Sequence, residues 1–229
     1  MHRYHQQFCP IARASEIFAE RWTPIIVRNL LLGCKTFNAL AAGAPGISRS
    51  VLAQRLRLLE DRGVIEHHPQ PLGHRGVYSL TQSGLELQQV CDALGNWGAR
   101  WIEASPEGLD PLIVLWAACR FIDVCAFPQV RVVVRVNIPD MPRLKNLFWL
   151  LIQQPEAEVC RKYPGFPDDL VMTTESKWLA QWHMGRISLR QGIRQNVIDI
   201  QGAPALVKAF ARCGGVTPFA NIAPANSAN

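Results

Sequence analysis

Residues 47 to 63 carry the side chains best suited to chemistry in this sequence, because their spacing is that of an amphipathic helix. One face is an apolar stripe made of Leu52, Leu56 and Leu59. The opposite face and its flanks carry polar and basic side chains, namely Arg49, Ser50, Gln54, Arg55, Arg57, Asp61 and Arg62. A helix held by one face that offers hydrogen-bonding groups on the other can enter the major groove of DNA.

The polar side chain types of this helix each have a defined contact with DNA. Arginine forms bidentate hydrogen bonds with guanine and glutamine with adenine, whereas serine is less selective. We predict that Arg49, Ser50 and Gln54 lie nearest the base edges, because a recognition helix contacts bases near its N-terminus. Arg55 and Arg57 are predicted to contact phosphates, which adds affinity without sequence information. The alternative is an ordinary surface helix whose charged face is only solvated.

A basic loop soon after this helix favours the DNA-binding interpretation. Two short strand-like segments flank a loop rich in proline and glycine, which predicts a hairpin. His74 and Arg75 lie at its tip, where a wing could lay an arginine along the DNA backbone or in the minor groove. The alternative is that His67, His68 and His74 are only polar surface residues, and for His67 and His68 we favour it.

The elements that must position these residues are predicted from helix start and stop signals. The predicted N-terminal caps are Thr23, Thr36, Ser48 and Thr81. Gly33 is expected to end the first capped helix, and the last one is expected to run unbroken from Thr81 to Trp101. That last helix carries an apolar stripe, the long-helix stripe, of Leu87, Val90, Leu94, Trp97 and Trp101. Three short helices, a hairpin and a long helix predict a winged helix-turn-helix.

Residues 9 to 101 contain an ordered set of short segments: Cys9-Pro10-Ile11-Ala12, Glu20-Arg21-Trp22-Thr23, Leu30-Leu31-Leu32-Gly33, Phe37 with Leu40, Pro45-Gly46-Ile47-Ser48-Arg49, Leu52-Ala53-Gln54-Arg55-Leu56, Leu59-Glu60, Tyr78-Ser79-Leu80-Thr81-Gln82-Ser83-Gly84 and Leu94-Gly95-Asn96-Trp97. With these segments the region resembles the HxlR family of bacterial winged-helix regulators. The resemblance implies a homodimer that binds palindromic operators. It also implies that the N-terminal helix and the long-helix stripe make the dimer contact.

Two departures from the family pattern concern the DNA-binding region. Lys35-Thr36 stands where the family often has an arginine just before the phenylalanine, and the loop around Gly76 lacks the usual acidic residue. The operator preference of the family is therefore not carried over to this chain.

Cys9 lies where some members of that family sense oxidants or electrophiles through a cysteine. Its thiolate would be favoured by a helix N-terminus with His5 or Arg13 nearby. The alternative, which we favour, is a half-buried thiol that behaves as a small hydrophobic group. We expect the other cysteines, which lie in apolar runs, to be core residues.

The second half of the chain alternates strand-like and helical segments, so it is expected to be a separate α+β domain. The Ser105-Pro106-Glu107-Gly108 segment is the best boundary. Residues 147 to 152 are apolar on both faces of a strand, so that strand should be covered twice, by helices on one side and by a ligand or partner on the other.

Four stretches of this half follow one another in order: Phe148-Trp149-Leu150-Leu151, Asp169-Leu170-Val171-Met172-Thr173-Thr174, Trp182-His183-Met184-Gly185-Arg186-Ile187-Ser188 and Ile198-Asp199-Ile200-Gln201-Gly202. With them, the order of elements resembles the sterol carrier protein-like fold, a five-stranded sheet covered by helices around an apolar cavity. The resemblance implies that a hydrophobic small molecule could bind here. The predicted lining residues are Leu115, Phe148, Leu150, Leu179 and Trp182. The alternatives are a fully packed core without a cavity, or a dimer surface.

Composition and motifs limit the other classes of function. The 229 residues are 48% hydrophobic with a formal net charge of +6, which suits a globular chain and only weakly favours a polyanionic partner. Seven scattered cysteines without a C-x-x-C pair predict neither a disulfide framework nor a zinc site. No apolar run has the length of a membrane span or the character of a signal peptide, so we expect a cytoplasmic protein. Without a catalytic motif, we expect no enzyme activity, cofactor or metal.

The sequence therefore predicts an α+β protein with two domains. Residues 1–105 form a winged helix-turn-helix for DNA binding and dimerisation, 110–214 a sterol carrier-like effector domain, and 215–229 a loose tail. The predicted function is an HxlR-type transcription regulator that binds operator DNA as a homodimer, modulated by a hydrophobic small molecule. The alternative is a lipid-carrier or enzyme-associated protein whose winged helix serves protein contact only.

Overall fold

The computed structural model describes residues 8–69, 76–102, 110–128 and 130–225. The chain divides into two compact units, Met1–Trp97 and Gly98–Asn229. The first unit combines helices with one hairpin, and the second combines helices with a larger sheet, so the chain is α+β. The segment predicted as the domain boundary falls within residues 103–109, which lie outside the described residues.

The first unit has the predicted order of helices and hairpin. Its elements are α1 (Pro10–Phe18), α2 (Thr23–Leu31), α3 (Phe37–Ala42), α4 (Arg49–Asp61), β1 (Ile65–His68), β2 (Val77–Leu80), α5 (Gln82–Glu86) and α6 (Gln88–Trp101), the last of which runs past the end of the unit. Strands β1 and β2 pair antiparallel, with Ile65 opposite Leu80. This arrangement is an N-terminal helix-turn-helix with a two-stranded wing.

Three of the four predicted caps are confirmed by hydrogen bonds from the backbone. Thr36 Oγ1 accepts from the Ala39 amide at 3.2 Å, and Ser48 Oγ accepts from the Val51 amide at 3.2 Å. Thr81 Oγ1 accepts from the Gly84 amide at 3.3 Å. Each side chain satisfies one of the amides that a helix start leaves without an intrahelical partner.

Two predictions about helix ends are wrong. Trp22, not Thr23, is the cap position of α2, and Thr23 is already helical with a fully buried side chain. The helix predicted as unbroken after Thr81 is two helices, α5 and α6, separated by Leu87, whose amide donates to the Gly84 carbonyl three residues earlier. Gly33 does follow the end of α2, in the left-handed conformation with φ +83° that favours glycine there.

Val64, the residue before β1, and the start of α5 approach each other closely at Gly84. A Cβ built on Gly84 would overlap the Val64 carbonyl oxygen and would lie 2.9 Å from Leu80 Cδ2. The same Val64 carbonyl accepts a hydrogen bond from the Thr81 amide at 3.1 Å. The glycine therefore permits the contact by which the wing joins the following helix.

The second unit is built on one five-stranded sheet with helices. After α7 (Pro111–Phe121), its elements are β3 (Val132–Asn137), β4 (Leu147–Gln153), β5 (Glu156–Cys160), β6 (Leu170–Thr174), α8 (Ser176–His183), α9 (Leu189–Arg194), β7 (Ile198–Gly202) and α10 (Pro204–Phe210). The strand order is β5-β4-β3-β6-β7, with β3 and β6 parallel and the other neighbours antiparallel. Helix α7 ends at Phe121, and a separate 3-10 turn covers Val124–Ala126.

The two faces of this sheet have different surroundings. On one face Val134, Phe148, Leu150 and Met172 are fully buried in the core shared with the helices. On the other face Trp149 is only 8% exposed, because Tyr163 meets its ring edge-on and its Nε1 donates to Asp168 Oδ1 at 3.1 Å. Leu151 on that face is half-buried. Strand β4 is therefore covered by helices on one side and in part by a loop on the other.

The segment after α10, predicted as a loose tail, makes contacts over residues 215–225. The Thr217 amide donates to the His183 carbonyl at 2.8 Å, and His183 Nδ1 lies 2.8 Å from the Gly215 carbonyl oxygen. Burial lowers the pKa of the His183 imidazole. This part of the tail is tied to α8.

Candidate nucleic-acid interface

Helix α4 separates its apolar and polar side chains as its sequence predicts. Leu52, Leu56 and Leu59 are fully buried in the first unit. All but one of the polar side chains on the other face and its flanks are exposed: Arg49, Ser50, Gln54, Arg57, Asp61 and Arg62. The helix is thus held by its leucines while hydrogen-bonding groups face away from them.

Arg49, the first residue of α4, lies over an aromatic ring. Its Cζ is 4.9 Å from the ring centroid of Phe37, which is the first residue of α3. Beside it, the hydroxyls of Ser48 and Ser50 are 3.0 Å apart. The N-terminus of α4 therefore groups one guanidinium with two hydroxyls, and the contribution of Phe37 was not predicted from the sequence.

Arg55 has an acidic partner within the chain, which differs from the phosphate contact predicted for it. Its guanidinium nitrogen lies 2.8 Å from Glu20 Oε2, and its side chain is 17% exposed. Glu20 stands 35 residues earlier in the turn after α1, so no local spacing in the sequence signals this pair. The pair leaves the guanidinium of Arg55 less available to a phosphate than that of Arg57.

The wing is anchored through β2, and contacts between side chains of β1 and β2 hold its two strands together. The Tyr78 amide donates to the Lys35 carbonyl at 2.7 Å, and the His67 ring stacks on Tyr78 with centroids 4.7 Å apart. His68 Nε2 lies 2.8 Å from Ser79 Oγ. The histidines of β1 thus have structural contacts. The loop residues predicted to reach DNA, His74 and Arg75, lie outside the described residues.

The long-helix stripe is largely uncovered within the chain. Helix α6 buries none of its residues, and Val90, Leu94, Trp97 and Trp101 are 41% to 58% exposed. Leu87, which precedes α6, is half-buried. In α1 and just before it, Ile11 and Phe8 are also exposed. The apolar side chains predicted to make a dimer contact are therefore accessible.

Cys9 is the cap position of α1 and is exposed, so the expectation of a half-buried thiol is wrong; its side chain accepts no hydrogen bond from the helix amides. The expectation that the other cysteines are core residues is confirmed for Cys34, Cys119 and Cys213 and is wrong for Cys125, which is exposed. Burial raises the pKa of Cys119 to about 12 and that of Cys213 to about 12, which keeps both thiols protonated at neutral pH.

The residues predicted to line an effector pocket are brought together by the fold of the second unit. They are Leu115, Phe148, Leu150, Leu179 and Trp182, and all five belong to one buried apolar cluster. The binding of a small molecule among them remains a prediction.

The described residues contain neither a metal-ligand cluster nor a membrane-spanning helix. In these ranges the structure shows no group of three or more His, Cys, Asp or Glu side chains that could hold a metal ion. No helix in the same ranges is both long enough and apolar enough to cross a membrane.

Comparison with known proteins agrees with this geometry. Residues 17–106 match the model of the HxlR-like helix-turn-helix family. The chain is 35% identical over 101 residues to the uncharacterized HTH-type transcriptional regulator YvaP of Bacillus subtilis. The aligned region covers 43% of this chain and 94% of YvaP. It is 34% identical over 96 residues to the uncharacterized HTH-type transcriptional regulator sll1512 of Synechocystis, covering 42% of this chain and 71% of that protein.

A solved structure shows the same likeness over a similar share of the chain. The reduced form of the transcriptional regulator YodB from Bacillus subtilis aligns with a TM-score of 0.34 and 30% identity, covering 40% of this chain and 92% of YodB. The match to the family model and the likeness to YvaP show that the chain belongs to the HxlR-like helix-turn-helix family of transcriptional regulators.

Proposed function

We propose that this chain regulates transcription by binding operator DNA as a homodimer, with α4 as the recognition helix. One observation carries the proposal: the leucines of α4 are buried while its polar and basic side chains face solvent. A recognition helix needs this division, because one face must be fixed to the domain and the other must fit the groove.

The exposed side chains of α4 are assigned by chemistry and position. Arg49, Ser50 and Gln54 contact base edges, because they lie in the first two turns of the helix and have hydrogen-bonding groups that bases can pair with. Arg57, further along the same helix, contacts phosphate. Arg55 is left out of the DNA contacts because one nitrogen of its guanidinium is already paired with Glu20.

The wing contacts extend this assignment beyond the helix. His74 and Arg75 are proposed to reach the DNA backbone or the minor groove, on the basis of their place in the sequence between β1 and β2.

The homodimer is proposed from the exposure of the long-helix stripe. Two tryptophans, a leucine and a valine lie at three- and four-residue intervals on one side of α6, and such continuous apolar surface usually marks a contact with another protein. A second copy is the occupant that a palindromic operator requires. The dimer would therefore present two recognition helices to one operator.

Gel retardation over a range of salt concentrations tests the DNA contact. The probe is the DNA upstream of the encoding gene, and a random-sequence duplex serves as the nonspecific control. We expect affinity to fall steeply with salt, because phosphate contacts release counterions. Arg57→Ala should weaken binding to both duplexes, whereas Arg190→Ala, which removes an exposed arginine of α9, should change neither. Equal effects of the two variants would reject α4 as the DNA-binding surface.

We further propose that a hydrophobic small molecule bound in the second unit modulates DNA binding. The five-stranded sheet with helices on its apolar face supports the likeness to the sterol carrier protein-like fold. An effector must bind the DNA-competent and incompetent forms with different affinity. Mass spectrometry of the purified protein under non-denaturing conditions should find a retained apolar molecule, and a Leu150→Trp variant should lose it. If no such molecule is retained, the proposed modulation is rejected, whereas the proposed DNA binding is not affected.

The alternative function, a lipid carrier whose winged helix serves only protein contact, gains no support from α4. Such a contact would favour an apolar or acidic outer face, whereas the described part of α4 exposes Arg49, Gln54 and Arg57. The alternative would be preferred if a retained lipid were found in a chain that does not retard DNA at low salt.

A further inference from the structure

Arg49 is held differently from the other basic side chains of α4. Its Cζ lies 4.9 Å from the centroid of the Phe37 ring. Among the described residues, its guanidinium makes no ion pair and no hydrogen bond. Arg55, two turns later, is instead paired with Glu20 at 2.8 Å. The guanidinium of Arg49 is therefore held over the Phe37 ring while its hydrogen-bond donors remain unused.

The contact with a ring leaves those donors free. A cation is attracted to the face of an aromatic ring by the ring's quadrupole, and this attraction uses none of the five N–H groups of the guanidinium. A free arginine side chain has many rotamers, and forming directed hydrogen bonds requires that most of them be given up. A ring that limits these rotamers before DNA arrives lowers the entropy lost on binding.

Phe37 is well placed to serve as that ring, because α3 is fixed at both ends. Thr36 caps the start of α3 and also forms a bridge with Val77 of the wing. Further along, Asn29 Nδ2 of α2 donates to the Leu40 carbonyl at 3.3 Å. Phe37 itself is half-buried. The ring thus belongs to the packed part of the unit and presents a fixed face.

We infer that Phe37 is a positioning residue for DNA recognition, whose ring orients the guanidinium of Arg49 for a bidentate contact with one guanine. This inference rests on the proposed DNA-binding function and adds a specificity determinant to it. The bidentate pairing of arginine with the O6 and N7 atoms of guanine is the chemistry that matches the free donors. Phe37 touches no base in this arrangement and acts only through Arg49.

A double-mutant cycle tests the inference on the full-length chain. The probes are a duplex selected by the wild-type chain from a random-sequence pool, and the same duplex with each guanine replaced in turn. Arg49→Ala should lower affinity for the selected duplex about tenfold and leave one of the replaced duplexes unaffected. Phe37→Leu should lower affinity for the selected duplex about two- to fivefold, with no change on that same replaced duplex.

The two effects should not add, because Phe37 acts through Arg49. In an Arg49→Ala background, Phe37→Leu is expected to cause no further loss, and Phe37→Tyr, which keeps the ring, should retain wild-type selectivity. A full additional loss in that background, or an equal loss on both duplexes, would show that Phe37 contributes only to the packing of α3. Either result would overturn the inference.

A second variant covers the case in which Phe37→Leu does not fold. Arg49→Lys keeps the charge and the ring but removes the planar fork, so it should lose selectivity for the guanine while retaining affinity for the replaced duplex. Unchanged selectivity in Arg49→Lys would also overturn the inference. If the wild-type chain selects no sequence and retards no duplex, the proposed function itself fails, which is a different outcome from additivity in the cycle.

Discussion

Helices α4 and α6 have the same kind of sequence pattern and opposite surroundings. Each repeats apolar residues at three- and four-residue intervals along one side. The leucines of α4 are fully buried, whereas α6 buries none of its residues. An apolar stripe thus predicts that a helix face will be covered, but it does not say whether the cover comes from the same chain or from another.

The largest effect expected of any substitution here is the loss of stability when a buried leucine of α4 is shortened. Leu56→Ala should lower the free energy of unfolding by about 2–5 kcal/mol, because it leaves a cavity among buried side chains. Urea unfolding followed by circular dichroism measures this change. The matched variant is Leu94→Ala on α6, whose destabilisation should depend on protein concentration because it acts through association. A Leu94→Ala effect as large as that of Leu56→Ala, and independent of concentration, would mean that α6 is covered within the chain.

The next largest effect is expected on self-association, when an exposed aromatic side chain of α6 is removed. Trp97→Ala should weaken self-association by about 2 kcal/mol or more, because large aromatic side chains contribute most to protein interfaces. Sedimentation equilibrium gives the dissociation constant directly. Leu144→Ala removes an exposed apolar side chain in the second unit and serves as the control, with no expected change. A monomeric wild-type chain at all concentrations would contradict the proposed dimer.

A smaller effect concerns the start of α4. Ser48→Ala should lower the free energy of unfolding by about 1 kcal/mol, since the Val51 amide loses the side chain that accepts its hydrogen bond. The neighbouring Ser50→Ala removes a hydroxyl that caps no amide in the described structure, so its effect should be much smaller. Thermal unfolding of the two variants provides the comparison, and equal losses would indicate that the cap contributes little.

The smallest effect on stability is expected for the ion pair between Arg55 of α4 and Glu20. Replacing Glu20 by arginine and Arg55 by glutamate singly should each destabilise the chain, and the double swap should recover part of the loss. The coupling free energy should be about 0.2–1 kcal/mol, because the pair is partly exposed and screened by solvent. Urea unfolding at low and high salt measures it. Strict additivity at low salt would show that the pair does not help to hold α4.

The features predicted correctly from the sequence depend on short separations along the chain. A helical stripe repeats within four residues, and the Ser48 cap reaches only to Val51. The strands of the second unit were likewise recognised from local apolar runs. For this reason the order of elements, the exposed face of α4 and the accessible stripe of α6 could all be anticipated.

The features that were missed join residues far apart or depend on the surroundings of a strand. The partner of Arg55 lies 35 residues away, and Phe37 meets Arg49 across the turn that joins α3 to α4. The cover of Trp149 comes from Tyr163 and Asp168, in a loop whose sequence has no regular period. No window of the sequence contains that information, because it exists only in the folded arrangement.

Gly84 has a consequence for engineering this protein. In an isolated helix, exchanging glycine for alanine is favourable by about 1 kcal/mol, so a search for stabilising changes by helix propensity would choose this position early. Here the added methyl group would collide with the Val64 carbonyl oxygen and crowd Leu80. A substitution that improves the helix alone would separate it from the wing, and glycine is the residue to keep when the rest of α5 is redesigned.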